Sequence, residues 1–115
     1  MKVIANDIAD SFYDGVKMVD FNYLMSNSDI LTIHVHLNDK TRGMINKSAF
    51  SLMKKSAILI NTSRGAIIDE SELLTSLKSE KIAGAGIDII DGEWLASNEI
   101  YKHPLIDYAR ENQNL

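Results

Sequence analysis

Apolar residues along the chain are concentrated in four short runs that alternate with more polar segments. The runs cover residues 1–6, 30–35, 56–61 and 82–87. Each run is rich in β-branched or small apolar residues, so we interpret each as a buried strand. The fourth run contains Gly84 and Gly86, whose small size favours close packing against a helix.

Polar residues that can cap a helix precede three of the intervening segments. Asp20 precedes a helix predicted over residues 21–26, Asn46 one over residues 47–53, and Asp69 one over residues 70–79. In the third helix, Asp69 and Glu72 form a capping pair, and leucines recur at helical spacing. We interpret residues 8–19 as a connection, and the periodicity beyond Asp88 is weak.

The alternation of strands and helices predicts an α/β fold with a parallel sheet and right-handed crossovers. In such sheets ligands bind beyond the carboxyl ends of the strands. Those ends carry polar residues or glycine at Asp7, residues 34–37, residues 62–65 and Asp88. These positions are therefore the first candidates for a functional site.

Composition excludes several classes of function. The chain has 115 residues, which suffices for one small domain, and its formal charge of −4 argues against a nucleic-acid partner. It contains no cysteine, which excludes disulfides and thiolate metal sites and fits a cytoplasmic location. No apolar stretch approaches the roughly 20 residues that a membrane helix needs, so no membrane partner is expected.

Arg64 is the strongest candidate for chemistry by position. It follows a buried strand, and its planar guanidinium suits bidentate capture of a carboxylate or phosphate. Gly65 follows, and we expect it to supply a positive φ for a sharp exit from the strand. The alternative is a surface arginine that pairs with a nearby carboxylate.

The acidic and histidine candidates have less specific signals. Asp7 could accept hydrogen bonds from ribose hydroxyls or could be an ordinary turn residue. Asp88 and Glu93 could serve acid–base chemistry or could be a strand-end residue and a solvated loop acid. His34 and His36 lack a third ligand at suitable spacing, so we expect no metal site, and we expect His34 to be packed or hydrogen-bonded.

One segment carries a family signature. Residues 61–69 read Asn-Thr-Ser-Arg-Gly-Ala-Ile-Ile-Asp and closely resemble the Asn-x-(Ala/Ser)-Arg-Gly-x-x-(Val/Ile)-(Asp/Asn) signature of the D-isomer-specific 2-hydroxyacid dehydrogenases. Residues 28–37, 41–46 and 84–89 resemble other family segments in the correct order. The resemblance implies a Rossmann-like parallel sheet with flanking helices and NAD as the cofactor.

The resemblance also implies roles for individual residues in the cofactor site. Asp7 would hold the adenosine ribose, which favours NAD over NADP, and Asp88 would contact the nicotinamide carboxamide. Thr62 and Ser63 would line the nicotinamide side, where Arg64 lies next to both ligands.

Two further roles concern the substrate. Arg64 would clamp the carboxylate and carbonyl of a small 2-hydroxy or 2-oxo acid, and Glu93 would pair with the catalytic histidine. That histidine belongs to a Pro-His-x-Gly-Gly segment expected after Leu115. His103 precedes a proline, in the reverse order, so we do not transfer the catalytic role to it.

The family's Gly-x-Gly-x-x-Gly loop is also missing from residues 1–115. We therefore expect a partial NAD-binding domain that carries its second to fifth strands and the following segment. Without the first, central strand the sheet should split into two pairs with unpaired edges. His36 replaces a usual proline, which is expected to loosen the loop beside the cofactor.

The resulting hypothesis is a fragment of an oxidoreductase that transfers a hydride between NAD and a small 2-hydroxy or 2-oxo acid. We expect the parent to be a homodimer and the fragment to be inactive alone. One alternative is an NAD-sensing, corepressor-like binding protein. Another is a truncated product without function.

Overall fold

The computed structural model describes residues 1–9, 12–92 and 102–115, which form an α/β fold. Its strands are β1 (Val3–Ala5), β2 (Val16–Met18), β3 (Ile30–Ile33), β4 (Ile58–Asn61) and β5 (Gly84–Ile87). Its helices are α1 (Phe21–Asn27), α2 (Lys47–Leu52), α3 (Glu70–Lys78) and α4 (Pro104–Glu111), with a short 3₁₀ helix at Gly65–Ile67. The predicted fold class is confirmed.

The strands form two parallel sheets, one of β1 and β2 and one in the order β3-β4-β5. The division into two sheets agrees with the prediction, but the prediction of four strands in two pairs was wrong. Residues 8–19 are not only a connection, because β2 pairs with β1 from Val16. The strand was missed because it has three residues, one of them the charged Lys17, and so leaves no apolar run.

The three-stranded sheet is packed on one face against helices. Along β3 the side chains alternate between exposed and buried positions, as expected for a sheet that is covered on one side. The largest fully buried side chains include residues of the sheet, of α1, α2 and α3, and of the 3₁₀ helix: Phe50, Met25, Leu59, Ile67, Leu73 and Leu77. This core holds the carboxyl ends of β3 and β4 in place.

The three predicted helix starts are confirmed by their caps. Asp20 accepts a hydrogen bond from the Tyr23 amide, and the Asn46 side chain caps α2 in the same way. Asp69 accepts hydrogen bonds from the Ser71 and Glu72 amides. In a full capping box the Glu72 side chain would accept a hydrogen bond from the Asp69 amide. Here that amide donates instead to the carbonyl oxygen of Ile45 at 3.0 Å.

The helix α4 was not predicted from the sequence. His103 caps it, Pro104 occupies its first turn, and Leu105 is buried in the core. The helix is amphipathic, because Leu105 and Tyr108 lie three residues apart and both pack on the core, but it has only eight residues and one of them is fully buried. None of the helices within the described residues is long and apolar enough to cross a membrane.

Candidate functional site

An open cleft lies at the carboxyl ends of β3 and β4. Its volume is about 380 Å³, and residues 34–37 and 62–64 line it. These are two of the four strand-end segments that the sequence singled out. The third, Asp88, follows β5 directly, and its amide donates to the carbonyl oxygen of Asn61 at 3.0 Å. That bond places the end of β5 beside the turn that carries Thr62.

Asn61 organises this turn, a role that we did not predict. The Asn61 side chain is fully buried. Its Nδ2 donates to the carbonyl oxygen of Arg64 at 2.9 Å, and its Oδ1 accepts from the Ser63 amide at 3.0 Å. A buried side-chain amide at the end of an apolar strand was the signal that could have identified it. Ser63 then links the turn to the facing loop, because its Oγ donates to the carbonyl oxygen of Val35 at 2.6 Å.

Arg64 is exposed at the rim of the cleft. One of its guanidinium nitrogens donates to the carbonyl oxygen of Ser63 at 2.6 Å. No carboxylate within the described parts of the chain forms an ion pair with Arg64. The described residues therefore give no support to the alternative of a surface ion pair, and the guanidinium keeps donors for an anionic ligand.

The expected reason for Gly65 was wrong. Among the described glycines, positive φ values occur at Gly15, Gly43 and Gly92, and Gly65 is not one of them. Instead the main chain of Ile90 and Asp91 passes so close that a Cβ on Gly65 would overlap its atoms. Glycine is required here by the close approach of the segment that follows β5, which was invisible in the sequence.

Asp7 lies apart from the cleft. It is exposed beyond β1, and its Oδ1 accepts from the Ala9 amide at 2.9 Å, which is a turn geometry. The structure thus shows the turn role that the sequence left open beside the ribose role. Glu93, the remaining predicted site residue, lies outside the described residues.

The three histidines differ in their surroundings. His34 is hydrogen-bonded as expected, with its Nε2 2.9 Å from Thr32 Oγ1, although β3 ends at Ile33 and not at residue 35. The loop at His36 is tied down, because Thr41 Oγ1 donates to the His36 carbonyl oxygen at 2.6 Å. This bond opposes the loosening that we expected from the loss of proline.

His103 lies away from the cleft lining and uses both ring nitrogens within the protein. Its Nε2 lies 3.0 Å from Glu70 Oε2, and its Nδ1 accepts from the Leu105 amide at 3.3 Å. An Nδ1 that accepts a backbone hydrogen bond carries no proton. The proton of the neutral ring is therefore on Nε2, which donates a hydrogen bond to Glu70. Burial raises the pKa of Glu70 above its ordinary value, against the lowering effects of the Asp91 amide and His103.

The cleft has the chemistry of one end of a dinucleotide site. Thr62 and Arg64 in the cleft lining offer hydroxyl and guanidinium groups, and exposed Asp88 at the end of the neighbouring strand offers a carboxylate. These groups can bind an amide and a carboxylate side by side. The residues present therefore fit the nicotinamide end of NAD together with an anionic substrate.

Comparison with known proteins agrees with this chemistry. Residues 1–110 match the family model of the D-isomer specific 2-hydroxyacid dehydrogenase NAD binding domain. The chain is 44% identical over 88 residues to a glyoxylate reductase from Thermococcus litoralis, which covers 76% of this chain and 27% of that protein. The chain thus spans about a quarter of the length of this curated relative.

Two solved structures have the same fold. A D-isomer specific 2-hydroxyacid dehydrogenase from Lactobacillus delbrueckii ssp. bulgaricus in its NAD-complexed form is 39% identical, with a TM-score of 0.78 over 81% of this chain and 30% of that one. An acyclic imino acid reductase in complex with NADPH and D-arginine is 38% identical, with a TM-score of 0.77 over 89% of this chain and 33% of that one. These matches confirm the predicted resemblance and the predicted NAD cofactor.

Proposed function

Because the chain belongs to the D-isomer specific 2-hydroxyacid dehydrogenase family, in its NAD-binding domain, we propose that it is part of an oxidoreductase acting on small 2-hydroxy or 2-oxo acids. The parent enzyme transfers a hydride between such an acid and NAD. The observation that carries this proposal is the open cleft at the ends of β3 and β4, with Arg64 at its rim.

Arg64 binds the substrate in this proposal. Its guanidinium forms two parallel hydrogen bonds with a carboxylate, which fixes the orientation of the acid as well as its position. The turn that carries Arg64 is rigid because the buried Asn61 side chain is hydrogen-bonded to the Ser63 amide and to the Arg64 carbonyl oxygen. A rigid turn lowers the cost of aligning the substrate for reaction.

The neighbouring strand-end residues hold the nicotinamide end of the cofactor. When bound, NAD supplies the position that accepts or donates the hydride. Thr62 and Ser63 would line one side of the nicotinamide, and Asp88 would accept a hydrogen bond from its carboxamide. Asp88 is exposed next to this turn, which supports the assignment.

Asp7 selects NAD over NADP in this proposal. An exposed carboxylate beyond β1 accepts hydrogen bonds from ribose hydroxyls and repels a 2′-phosphate. The distinction is relevant to this fold, since one solved relative was crystallised with NAD and another with NADPH.

We further propose that the 115-residue chain is inactive by itself. Proton transfer needs a histidine that Glu93 would orient, and both ring nitrogens of His103 are already used by Glu70 and Leu105. His103 is therefore a structural residue in this proposal. A homodimeric parent and a cytoplasmic location stay predictions.

An assay of NADH oxidation tests the proposal, with glyoxylate and hydroxypyruvate as acceptors. We expect no turnover from the 115-residue chain and robust turnover when it is part of the longer parent. Turnover by the chain that survives His103→Asn would contradict the missing-histidine proposal. Negligible turnover of the parent with every small 2-oxo acid, with either NADH or NADPH, would contradict the hydride-transfer proposal and favour a binding protein.

A further inference from the structure

Three separate segments of the chain meet at the side chain of Glu70. Its Oε1 accepts from the Asp91 amide at 2.8 Å, and its Oε2 lies 3.0 Å from Nε2 of His103. Glu70 begins α3, Asp91 follows β5, and His103 caps α4. We call these three residues the Glu70 clamp.

The surroundings of the Glu70 clamp favour a well-defined geometry. The side chains of Glu70 and His103 are only 16% and 21% exposed, so water competes weakly for their hydrogen bonds. The dipole of α3, at whose start Glu70 lies, offsets part of the cost of burying the negative charge of its carboxylate. The carboxylate uses one oxygen for each partner, so both bonds are made at the same time.

The Glu70 clamp lies directly behind the turn that carries Arg64. The main chain of Ile90 and Asp91 passes over Gly65 with no room for a Cβ. The Asp91 amide is therefore held by Glu70 while Gly65 permits its close approach. Arg64 is the neighbour of Gly65 in sequence, and Asp91 lies two residues before Glu93.

We propose that Glu70 is a positioning residue, which sets the spacing between the Arg64 turn and the segment after β5 by holding the Asp91 amide against Gly65. The role extends the proposed function and rests on it for its catalytic consequence. His103 completes the Glu70 clamp, because it orients the Glu70 carboxylate and connects it to α4.

The first arm of the test needs no enzyme activity. In the 115-residue chain, hydrogen exchange of the Asp91 amide is measured in Glu70→Ala, His103→Asn and a matched control, Glu72→Ala, on the same helix. We expect exchange about tenfold faster in Glu70→Ala, because a hydrogen bond to a charged group is lost. Asn at position 103 keeps the cap of α4 but cannot bridge to Glu70, so we expect an intermediate increase there.

The Glu72→Ala control should leave the exchange of the Asp91 amide unchanged. Equal exchange in Glu70→Ala and Glu72→Ala would overturn the proposal. If Glu70→Ala fails to fold, Glu70→Gln provides the test through ring nitrogen-15 shifts of His103. Its amide group still accepts from Asp91 but cannot accept the Nε2 proton, so we expect the His103 shifts to change; unchanged shifts would overturn the proposal.

The second arm measures kcat and KM for glyoxylate and NADH in the parent protein. We expect Glu70→Ala to lower kcat about tenfold or more, because small displacements of reacting groups are costly, and to leave KM for NADH within about twofold. Glu70→Gln should retain most of kcat, since it keeps the acceptor for Asp91. A kcat in Glu70→Ala equal to that in Glu72→Ala would overturn the positioning role. If the unsubstituted parent lacks turnover, the proposed function fails. Hydrogen exchange of the Asp91 amide still tests whether Glu70 holds that amide in place.

Discussion

The two sheets of this molecule have the same parallel geometry and very different surroundings. Among the residues that the structure describes, no buried member of the apolar core precedes Met25, so the strand pair of β1 and β2 lies outside this core. Exposed large apolar side chains are instead frequent in and around that pair: Met1, Val3, Ile8, Phe12 and Tyr13. The sheet of β3, β4 and β5 has a face that is buried under helices.

The difference shows that strand propensity alone does not stabilise a sheet. The pair is held by main-chain bonds and by a few contacts, such as Asn6 Nδ2 donating to the Val19 carbonyl oxygen at 2.8 Å. An isolated two-stranded sheet is at best marginally stable in water. The larger sheet gains its stability from apolar burial against α1, α2 and α3, and it is there that the cleft is built.

The largest expected difference between the two regions concerns their phenylalanines. Phe50 is 2% exposed and Phe12 is 89% exposed. We expect Phe50→Ala to lower the free energy of unfolding by about 3–5 kcal/mol through loss of burial and creation of a cavity. Phe12→Ala should change it by less than about 0.5 kcal/mol. Urea denaturation followed by circular dichroism measures both, and equal losses would mean that the strand pair belongs to the core.

The ligand roles of the two regions can be separated in the parent protein. Arg64→Ala should raise KM for glyoxylate or lower kcat/KM by about 10–100-fold, because a charged hydrogen bond to the carboxylate is lost. Asp7→Ser should leave kcat/KM for glyoxylate almost unchanged and should shift the ratio of NADPH to NADH use by about tenfold. A shift of cofactor preference by Arg64→Ala, or none by Asp7→Ser, would contradict the assignment.

Glycine substitutions compare the two regions at the level of the main chain. A Cβ at Gly65 would overlap the main chain of Asp91, whereas a Cβ at Gly15 meets nothing, although φ there is +76°. We expect Gly65→Ala to cost about 1–3 kcal/mol by overpacking. Gly15→Ala should cost about 1 kcal/mol within the strand pair and little in global unfolding. Thermal unfolding together with hydrogen exchange in β2 distinguishes these outcomes.

The smallest predicted effects are pH dependences, which belong to the larger region. Burial raises the pKa of Glu70 above 4.5, so its contribution to stability is present below that pH and is lost as pH rises through the raised pKa. The hydrogen bond from Ser71 lowers the pKa of Asp69 below 3.8, so its contribution is present above that pH and is lost on acidification.

Two isosteric variants test these opposite signs. The free energy of unfolding is measured from pH 3 to 8 for Glu70→Gln and Asp69→Asn. Each variant should lose the pH dependence that its replaced carboxyl group contributes, and asparagine at position 69 keeps the cap of α3. Exchange of the β1 and β2 amides should not follow either titration. If it does, the two regions are coupled more tightly than their packing indicates.

Local sequence patterns were sufficient for much of the site. Arg64, Thr62 and Ser63 follow an apolar run that had to be a buried strand, and their position at its carboxyl end determined that they face a crevice. The caps could also be predicted from the sequence, because capping depends on a few adjacent residues: Asp20, Asn46 and Asp69. The family signature added the chemistry.

The tertiary structure decided what depends on distant segments. Gly65 is a glycine because Asp91 passes over it, and Glu70 matters because β5 and α4 bring Asp91 and His103 to its two oxygens. None of these three contacts produces a periodic pattern in the sequence, since each joins residues more than 20 positions apart. The sequence by itself determined four of the five strands, the caps of α1, α2 and α3 and the position of the arginine, whereas only packing decided what holds the arginine's turn in place.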